Sequence, residues 1–321
     1  MRLLRAPAAL LSNGAQRFDT GAFPQFVQRK RVNAARVELL TSHATSGETR
    51  LRSPHEDGRA CDLCGAREFS LLHEWPVGNR WNPATIPIAV WKCTCGLAFL
   101  HPVPQPEQLP AKGEWWSQAR KQTRRRGGFK EKWRVIRHAI TGTGKERLLR
   151  DTRKAVPSGR FLDIGCGGGR MLRVAARSYD VTGLEPSPVA AAMTREKGFR
   201  VVEETLEETM LPSGSFDVIM LDSVIEHVVS PRAALQKAHE LLAPGGVVVL
   251  LTPKFEGPSS RRHGADWNGF RHGYHTHLFT GKILGRYLEE TGFEVLRSPR
   301  RDRMFDDILI LWGRKRAATV S

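Results

Sequence analysis

Three groups of residues in this 321-residue sequence could do chemistry. The first is a set of four cysteines in two close pairs, Cys61-Asp62-Leu63-Cys64 and Cys93-Thr94-Cys95. Four thiolates on two short turns suit a tetrahedral zinc, and such a closed set keeps no open position, so the metal would be structural. The second pair is tighter than the usual Cys-x-x-Cys. That leaves His73 or His101 open as a substitute for Cys93 or Cys95, and leaves open a site that has lost its metal. The second group is Asp163 followed by Gly165, Gly167, Gly168 and Gly169, with the acid Glu185 further on. Glycines let the chain turn sharply and let a ligand approach main-chain N–H groups at a helix N-terminus. A carboxylate such as Asp163 at a strand end is expensive to bury without a role. The third group is His227, preceded by Glu226, with His275 and His277 in a later loop. His227 is the first residue to suspect in proton transfer, against the plainer reading of a histidine that packs or shapes a pocket.

These residues need elements to hold them. Phe161 to Ile164 is an apolar run suited to a buried parallel strand, and a helical pattern over Arg170 to Ser178 follows the glycines. Asp180 to Leu184 is a second strand that ends in Glu185. Ser187 then caps a helix with Pro188 at its first position. Phe199 to Glu203 is a short third strand, and Phe216 to Leu221 a fourth, apolar throughout as a buried parallel strand should be. A helix closes at Leu241–Gly245, a fifth strand runs through Leu251, and Thr280 caps a helix that ends at Glu289–Gly292. Phe293 to Leu296 and Asp307 to Trp312 are the sixth and seventh strands. The segment Thr252 to Phe279 is long, glycine-rich and dense in Trp267, Phe270, His272, Tyr274, His275 and His277, which marks it as a functional loop. Upstream, Phe69 to His73 and Ile86 to Trp91 are strand-like and join the two cysteine turns as a hairpin, in the manner of a zinc ribbon.

Asp163-x-Gly165-x-Gly167-x-Gly169, followed by a strand ending in Glu185, resembles the class I S-adenosylmethionine-dependent methyltransferases. The nicotinamide fingerprint Gly-x-Gly-x-x-Gly fits less well, because a pyrophosphate would be repelled by Asp163. The resemblance implies a Rossmann-like α/β sheet of seven strands with the final strand antiparallel. It implies that S-adenosylmethionine is held by Asp163, Gly165, Cys166, Gly167, Gly169, Glu185, Pro186, Leu206 and Asp222, with Leu206 packed on the adenine. It leaves catalysis to His227 with His275 or His277. Cys95 to Pro104 resembles the N-terminal metal-binding module of many bacterial methyltransferases that act on small molecules, sugars or polysaccharides. The function implied is methyl transfer to a small-molecule or glycan acceptor. Some relatives place Mg²⁺ on a Glu-x-x-Glu-His turn, but here Ser223 replaces the first carboxylate and Asp222 is out of register, so catalysis is expected to be metal-independent.

Charge keeps a second reading open. The chain carries a net charge of +17, and Arg120 to Lys154 holds fourteen Lys/Arg against three acids. Such a block could track nucleic-acid phosphates, making an RNA methyltransferase that docks through the zinc ribbon. No Asn-Pro-Pro-Tyr-type turn follows the fourth strand, however. A non-catalytic module that binds S-adenosylmethionine is disfavoured by the intact Asp163, Gly165, Gly167 and Glu185. The segments expected are a poorly structured basic stretch over 1–58, a zinc-ribbon-like module over 59–110, a basic linker with a helix over 111–158 (Lys145 to Val156), and the methyltransferase domain over 159–316. No apolar run is long enough for a membrane span, and paired cysteines suit a reducing cytoplasm.

Overall fold

A computed structural model describes residues 50–79, 82, 84–108, 144–296 and 307–316. The described residues all fall within one unit, Thr49–Ser321. Trp115-Trp116 and Arg124-Arg125-Arg126 of the basic stretch lie outside them.

Two sheets organise the chain. The larger has seven strands: β4 (Gly159–Ile164), β5 (Tyr179–Leu184), β6 (Arg200–Val202), β7 (Phe216–Asp222), β8 (Leu242–Pro253), β10 (Phe293–Leu296) and β11 (Ile308–Lys315). Their order is β10-β11-β8-β7-β4-β5-β6. The five strands from β4 to β8 pair in parallel, and β11 runs antiparallel to both β8 and β10. This is the seven-stranded sheet with an antiparallel closing hairpin that the sequence implied.

The strands are apolar because both faces are covered. On one face Leu162, Ile164, Ile219, Leu221, Val248 and Leu250 pack under α4 (Pro231–Leu241) and α6 (Gly281–Glu290). On the other, Phe161, Val218, Met220, Val247 and Val249 meet α1 (Gly144–Thr152) and α2 (Arg170–Ala175). Adjacent residues alternate between the two cores with the period of two that a strand imposes. Helix α3 (Pro188–Arg195) has Ser187 as its N-cap and Pro188 in its first turn, and Thr280 caps α6. Helices α1 and α2 end sooner than the sequence pattern suggests. After Thr152 the chain closes in tight turns, with Ala155 and Val156 N–H donating to Thr152 O, and after Ala175 it turns through Ser178.

The smaller sheet is β1 (Phe69–Trp75), β2 (Ile88–Cys93), β3 (Ala98–His101) and β9 (His277–Leu278), paired antiparallel in that order. Its fourth strand comes from the Thr252–Phe279 insertion. That insertion is more regular than a glycine-rich loop suggests, since it also forms α5 (Pro258–His263) and two 3₁₀ turns. Phe255, Trp267 and Phe270 from the insertion bury against Trp75, Ile88, Val90 and Leu100 of the small sheet. Residues 50–58, expected to be poorly structured, are also tied in: Asp57 accepts a hydrogen bond from His101 Nε2 at 2.9 Å. No described helix is long and apolar enough to cross a membrane.

Candidate active site

Strand order reverses at β4, which has β5 on one side and β7 on the other. In open α/β sheets ligands bind beyond the carboxyl ends of strands at such a switch point, and Asp163, Glu185 and Asp222 end the three strands that meet there. Glu185 is 9% exposed. Its Oε2 accepts the Gly167 N–H at 2.8 Å and its Oε1 the Ser187 N–H at 3.0 Å. Gly165 and Gly167 have φ of 66° and 51°, in the left-handed region that favours glycine. A Cβ on Gly165 would lie 2.7 Å from Val224, whereas one on Gly167 would meet nothing within 4 Å. The loop is therefore closed by the turn after β7 on one side and open on the other. Burial pushes the Asp163 carboxyl up to about 7, opposed by the Lys145 ammonium and reinforced by Asp222 and Glu185. Lys145, from α1, makes an ion pair with Asp222. An open glycine cradle rimmed by three acids fits a cationic ligand with ribose hydroxyls. It does not fit a pyrophosphate.

The other positions expected at the cofactor differ in burial. Cys166 is buried against Gly183, where a Cβ would fall 2.6 Å from its Sγ, so it packs the loop onto β5. Leu206, expected against an adenine ring, is 4% exposed and belongs to the sheet core. Pro186 is exposed beside Glu185, and Gly169 opens α2.

Beyond β7 the chain turns through Ser223, with φ of 63°, to Glu226 and His227. A carboxylate oxygen of Glu226 and a ring nitrogen each of His227 and His275 lie within 4.8 Å of one another. The two imidazoles meet edge to face at 4.7 Å. His227 Nδ1 lies 2.7 Å from Tyr274 O, and His275 Nδ1 lies 2.6 Å from Gly269 O. A carbonyl only accepts, so each Nδ1 carries hydrogen and each Nε2 is the nitrogen able to take a proton. Glu226 is 1% exposed, and among the described residues neither of its oxygens meets a hydrogen-bond partner of ordinary geometry. Burial pushes its carboxyl up to about 7. The structure brings His275, and not His277, to His227. His277 is buried in β9, held neutral at about 4 by burial and the nearby Arg59 guanidinium, and stacks on Phe279. The three donors are also of kinds that hold a divalent cation, but Asp222 is engaged with Lys145 and adds no second carboxylate.

The four cysteines gather into one cluster. Cys61 and Cys95 sulfurs are 3.7 Å apart, and those of Cys64 and Cys93 are 3.6 Å apart. Zn–S bonds of about 2.3 Å in tetrahedral geometry set sulfur–sulfur edges of about 3.8 Å, so the donor set fits zinc despite the tight Cys-x-Cys. His101 is engaged with Asp57, and His73 meets Trp75 at a tilt and Phe270 edge-on, so neither replaces a cysteine.

The family model for the methyltransferase domain matches residues 136–298. The chain belongs to that family. Among curated members, the ubiquinone biosynthesis O-methyltransferase of Cereibacter sphaeroides is 39% identical over 100 residues, covering 29% of this chain and 40% of that protein. The Escherichia coli O139:H28 enzyme of the same name is 37% identical over 108 residues, covering 31% and 45%. The match thus spans less than half the length of these relatives. Among solved structures, the Burkholderia thailandensis 1,6-didemethyltoxoflavin-N1-methyltransferase, with bound 1,6-didemethyltoxoflavin and S-adenosylhomocysteine, is 21% identical. It aligns at a TM-score of 0.44 over 68% of this chain and 96% of its own. An S-adenosylmethionine-dependent methyltransferase from Mesorhizobium loti is 21% identical, with a TM-score of 0.40 over 48% and 90%.

Within this methyltransferase-domain chain, sequence reasoning undervalued two residues. Glu226 looks like an ordinary turn acid, yet it stands between Ile225 and Val228, both buried. A charged residue framed by core positions was the available signal. Lys145 carried no signal, because its pairing with Asp222 spans 77 positions.

The orphaned Glu226 carboxyl has a consequence for stability. Its folded-state value of about 7 exceeds the ordinary 4.5, so the folded chain binds more protons between those values and stability falls as pH rises through that window. Glu226→Gln removes the charge. It is expected to be more stable than the parent by about 1–3 kcal/mol above pH ~8 and nearly equal at pH ~4. Urea melts at the two pH values measure this, and an equal difference at both would show that burial does not penalise the carboxylate.

Proposed function

We propose that this chain is a methyltransferase that moves the methyl group of S-adenosylmethionine to a hydroxyl of a small-molecule or glycan acceptor in the cytoplasm. The reading is carried by one observation: the open, acid-rimmed glycine loop and the Glu226–His227–His275 group share the carboxyl end of the sheet at its switch point. The cofactor, when bound, supplies a sulfonium-activated methyl carbon. Glu185 and the main-chain N–H groups of the glycine loop bind ribose and tail, while Asp163 and Asp222 favour the positive charge. His227 and His275 present Nε2 lone pairs to an acceptor hydroxyl, with the buried Glu226 carboxyl close beside them. Displacement at an activated carbon needs mainly alignment plus a base, and these residues supply both. The curated relatives named as O-methyltransferases support an oxygen acceptor. The four cysteines hold a structural zinc, and their pairing for metal instead of disulfides supports the cytoplasmic placement.

Calorimetry with S-adenosylmethionine and, separately, with NAD tests the reading: binding of the first alone is expected, and binding of NAD alone would overturn it. Glu185→Ala should weaken cofactor binding by about 1.5–3 kcal/mol, the worth of hydrogen bonds to a charged acceptor. A variant that binds like the parent would remove Glu185 from the site.

Elemental analysis of protein purified without chelator is expected to give one zinc per chain; a metal-free preparation that is folded would end the zinc assignment.

Methyl transfer should need no added Mg²⁺, and His227→Ala should lower kcat by about 10²–10⁴-fold, the range for a lost acid–base group. Loss of activity in EDTA that Mg²⁺ alone restores would instead make Glu226, His227 and His275 a metal site, because Mg²⁺ does not refill a thiolate cluster.

A further inference from the structure

The turn that carries Glu226 and His227 is held from both sides by the cysteine module. On one side, the Cys61–Cys64 turn presents Asp62. Its Oδ1 accepts from Ser230 Oγ at 2.6 Å, and its Oδ2 accepts from the Arg232 N–H at 3.1 Å and Tyr287 Oη at 3.0 Å. Arg232 Nε donates back to Asp62 O at 3.0 Å. Ser230 is the N-cap of α4, so Asp62 fixes the chain immediately after the turn. On the other side, the Cys93–Cys95 turn leads into β3, whose Leu100 N–H donates to Thr276 O at 2.9 Å. Thr276 N–H donates to Glu226 O at 2.8 Å. Its Oγ1 lies 3.1 Å from Glu226 O and 3.0 Å from Val228 O, so its one hydrogen is shared between carbonyls that bracket His227, and it also lies 3.0 Å from His277 Nδ1. Thr276 is 7% exposed, so water cannot replace those bonds cheaply. It is also the residue next to His275.

We propose that Thr276 and Asp62 are positioning residues through which the cysteine module sets Glu226, His227 and His275 for methyl transfer. This rests on the methyl-transfer reading above. The two clamps begin on the two cysteine turns, and a metal held by all four sulfurs would tie them together. The module is then a working wall of the acceptor side. Zinc removal should disorganise that side while the glycine loop, built from β4, β5 and α2, keeps its affinity for the cofactor.

The test uses the full chain with its metal, labelled with ¹⁵N-histidine, and three variants. Thr276→Val keeps the shape and deletes the hydroxyl; Thr276→Ser keeps the hydroxyl; Asp62→Ala removes the other clamp. Long-range ¹H–¹⁵N spectra report the tautomer and surroundings of His227 and His275, and calorimetry with S-adenosylhomocysteine reports the cofactor side. Thr276→Val is expected to move both histidine signals and lower kcat by about 10–100-fold, the usual cost of losing a supporting hydrogen bond behind a working group. S-adenosylhomocysteine affinity should stay within about twofold, since no bond to the loop is lost. Thr276→Ser should restore signals and rate, and Asp62→Ala should act in the same direction as Thr276→Val. Histidine signals unchanged in Thr276→Val would overturn the proposal, as would a loss of cofactor affinity equal to the loss of rate. If Asp62→Ala does not fold, Thr276→Val decides alone. A parent protein that binds no S-adenosylhomocysteine would sink the methyl-transfer reading, and the histidine signals would still report on the clamp.

Discussion

Two carboxyls held out of water set the terms for this structure. Asp163 is 3% exposed at the end of β4, and Glu226 is 1% exposed just beyond β7. Burial pushes both up to about 7. Neither placement helps the fold by itself, because removing a carboxylate from water costs free energy unless something opposite compensates it. The sheet tolerates the cost through the apolar packing of β4, β7 and β8, whose central residues are fully buried. Lys145 adds a cation near Asp163, while among the described residues no cation offsets the Glu226 carboxyl. The asymmetry suits the division of labour. On the proposed reading, the Asp163 side would receive a positive ligand, whereas the Glu226 side sets a buried carboxyl beside two imidazoles.

Those imidazoles depend on long-range construction. His227 and His275 come from turns 48 residues apart in sequence, yet each has its Nδ1 fixed by a main-chain carbonyl, of Tyr274 and Gly269 respectively. Each carbonyl lies in the insertion after β8, so the insertion chooses the tautomer of both rings. The insertion is in turn held by the small sheet, through β3–β9 pairing and the burial of Trp267 and Phe270 against Trp75. The cysteine cluster belongs to this chain of support, because Cys61, Leu63, Cys93 and Leu97 share a core with α6 and the large sheet.

What could be read from the sequence follows from distance along the chain. The β4–glycine loop–β5 unit lies within a short segment, and its chemistry is carried by glycines at positive φ and by acids at strand ends. The placement of Asp163, Gly165, Gly167 and Glu185 around the β4–β5 turn was legible for that reason, as were the Ser187 and Thr280 caps. The four cysteines were legible because metal-ligand spacing is local. The core burial of Leu206 was not legible, because an apolar residue in a loop looks the same in sequence whether it faces a ring or a core. His275 and His277 could not be separated, because only the register of β9 against β3 decides which one turns inward. Thr276 gave no sign at all. A threonine beside a strand is commonplace, and its importance lies in the carbonyls of a turn 48 residues away.

The same contrast bears on how acceptor choice is built. The cofactor half is made of elements that a seven-stranded sheet of this order has by construction. The surroundings of Glu226, His227 and His275 are assembled from two additions, the cysteine module before the sheet and the insertion after β8, which meet each other as strands of one small sheet. Changing either addition alters the surroundings of Glu226, His227 and His275 without touching the glycine loop. A shared sheet fixes a common place for a ligand and leaves the partner for the reaction to whatever is grafted over it. In this chain Asp62 and Thr276 tie the graft by hydrogen bonds to the main chain on either side of the turn that carries Glu226 and His227. A rigid wall favours an acceptor that matches a fixed shape, since its groups pay little ordering entropy on binding. On the proposed methyl-transfer reading, acceptor selection would be built where module and insertion fit together, at their shared strands.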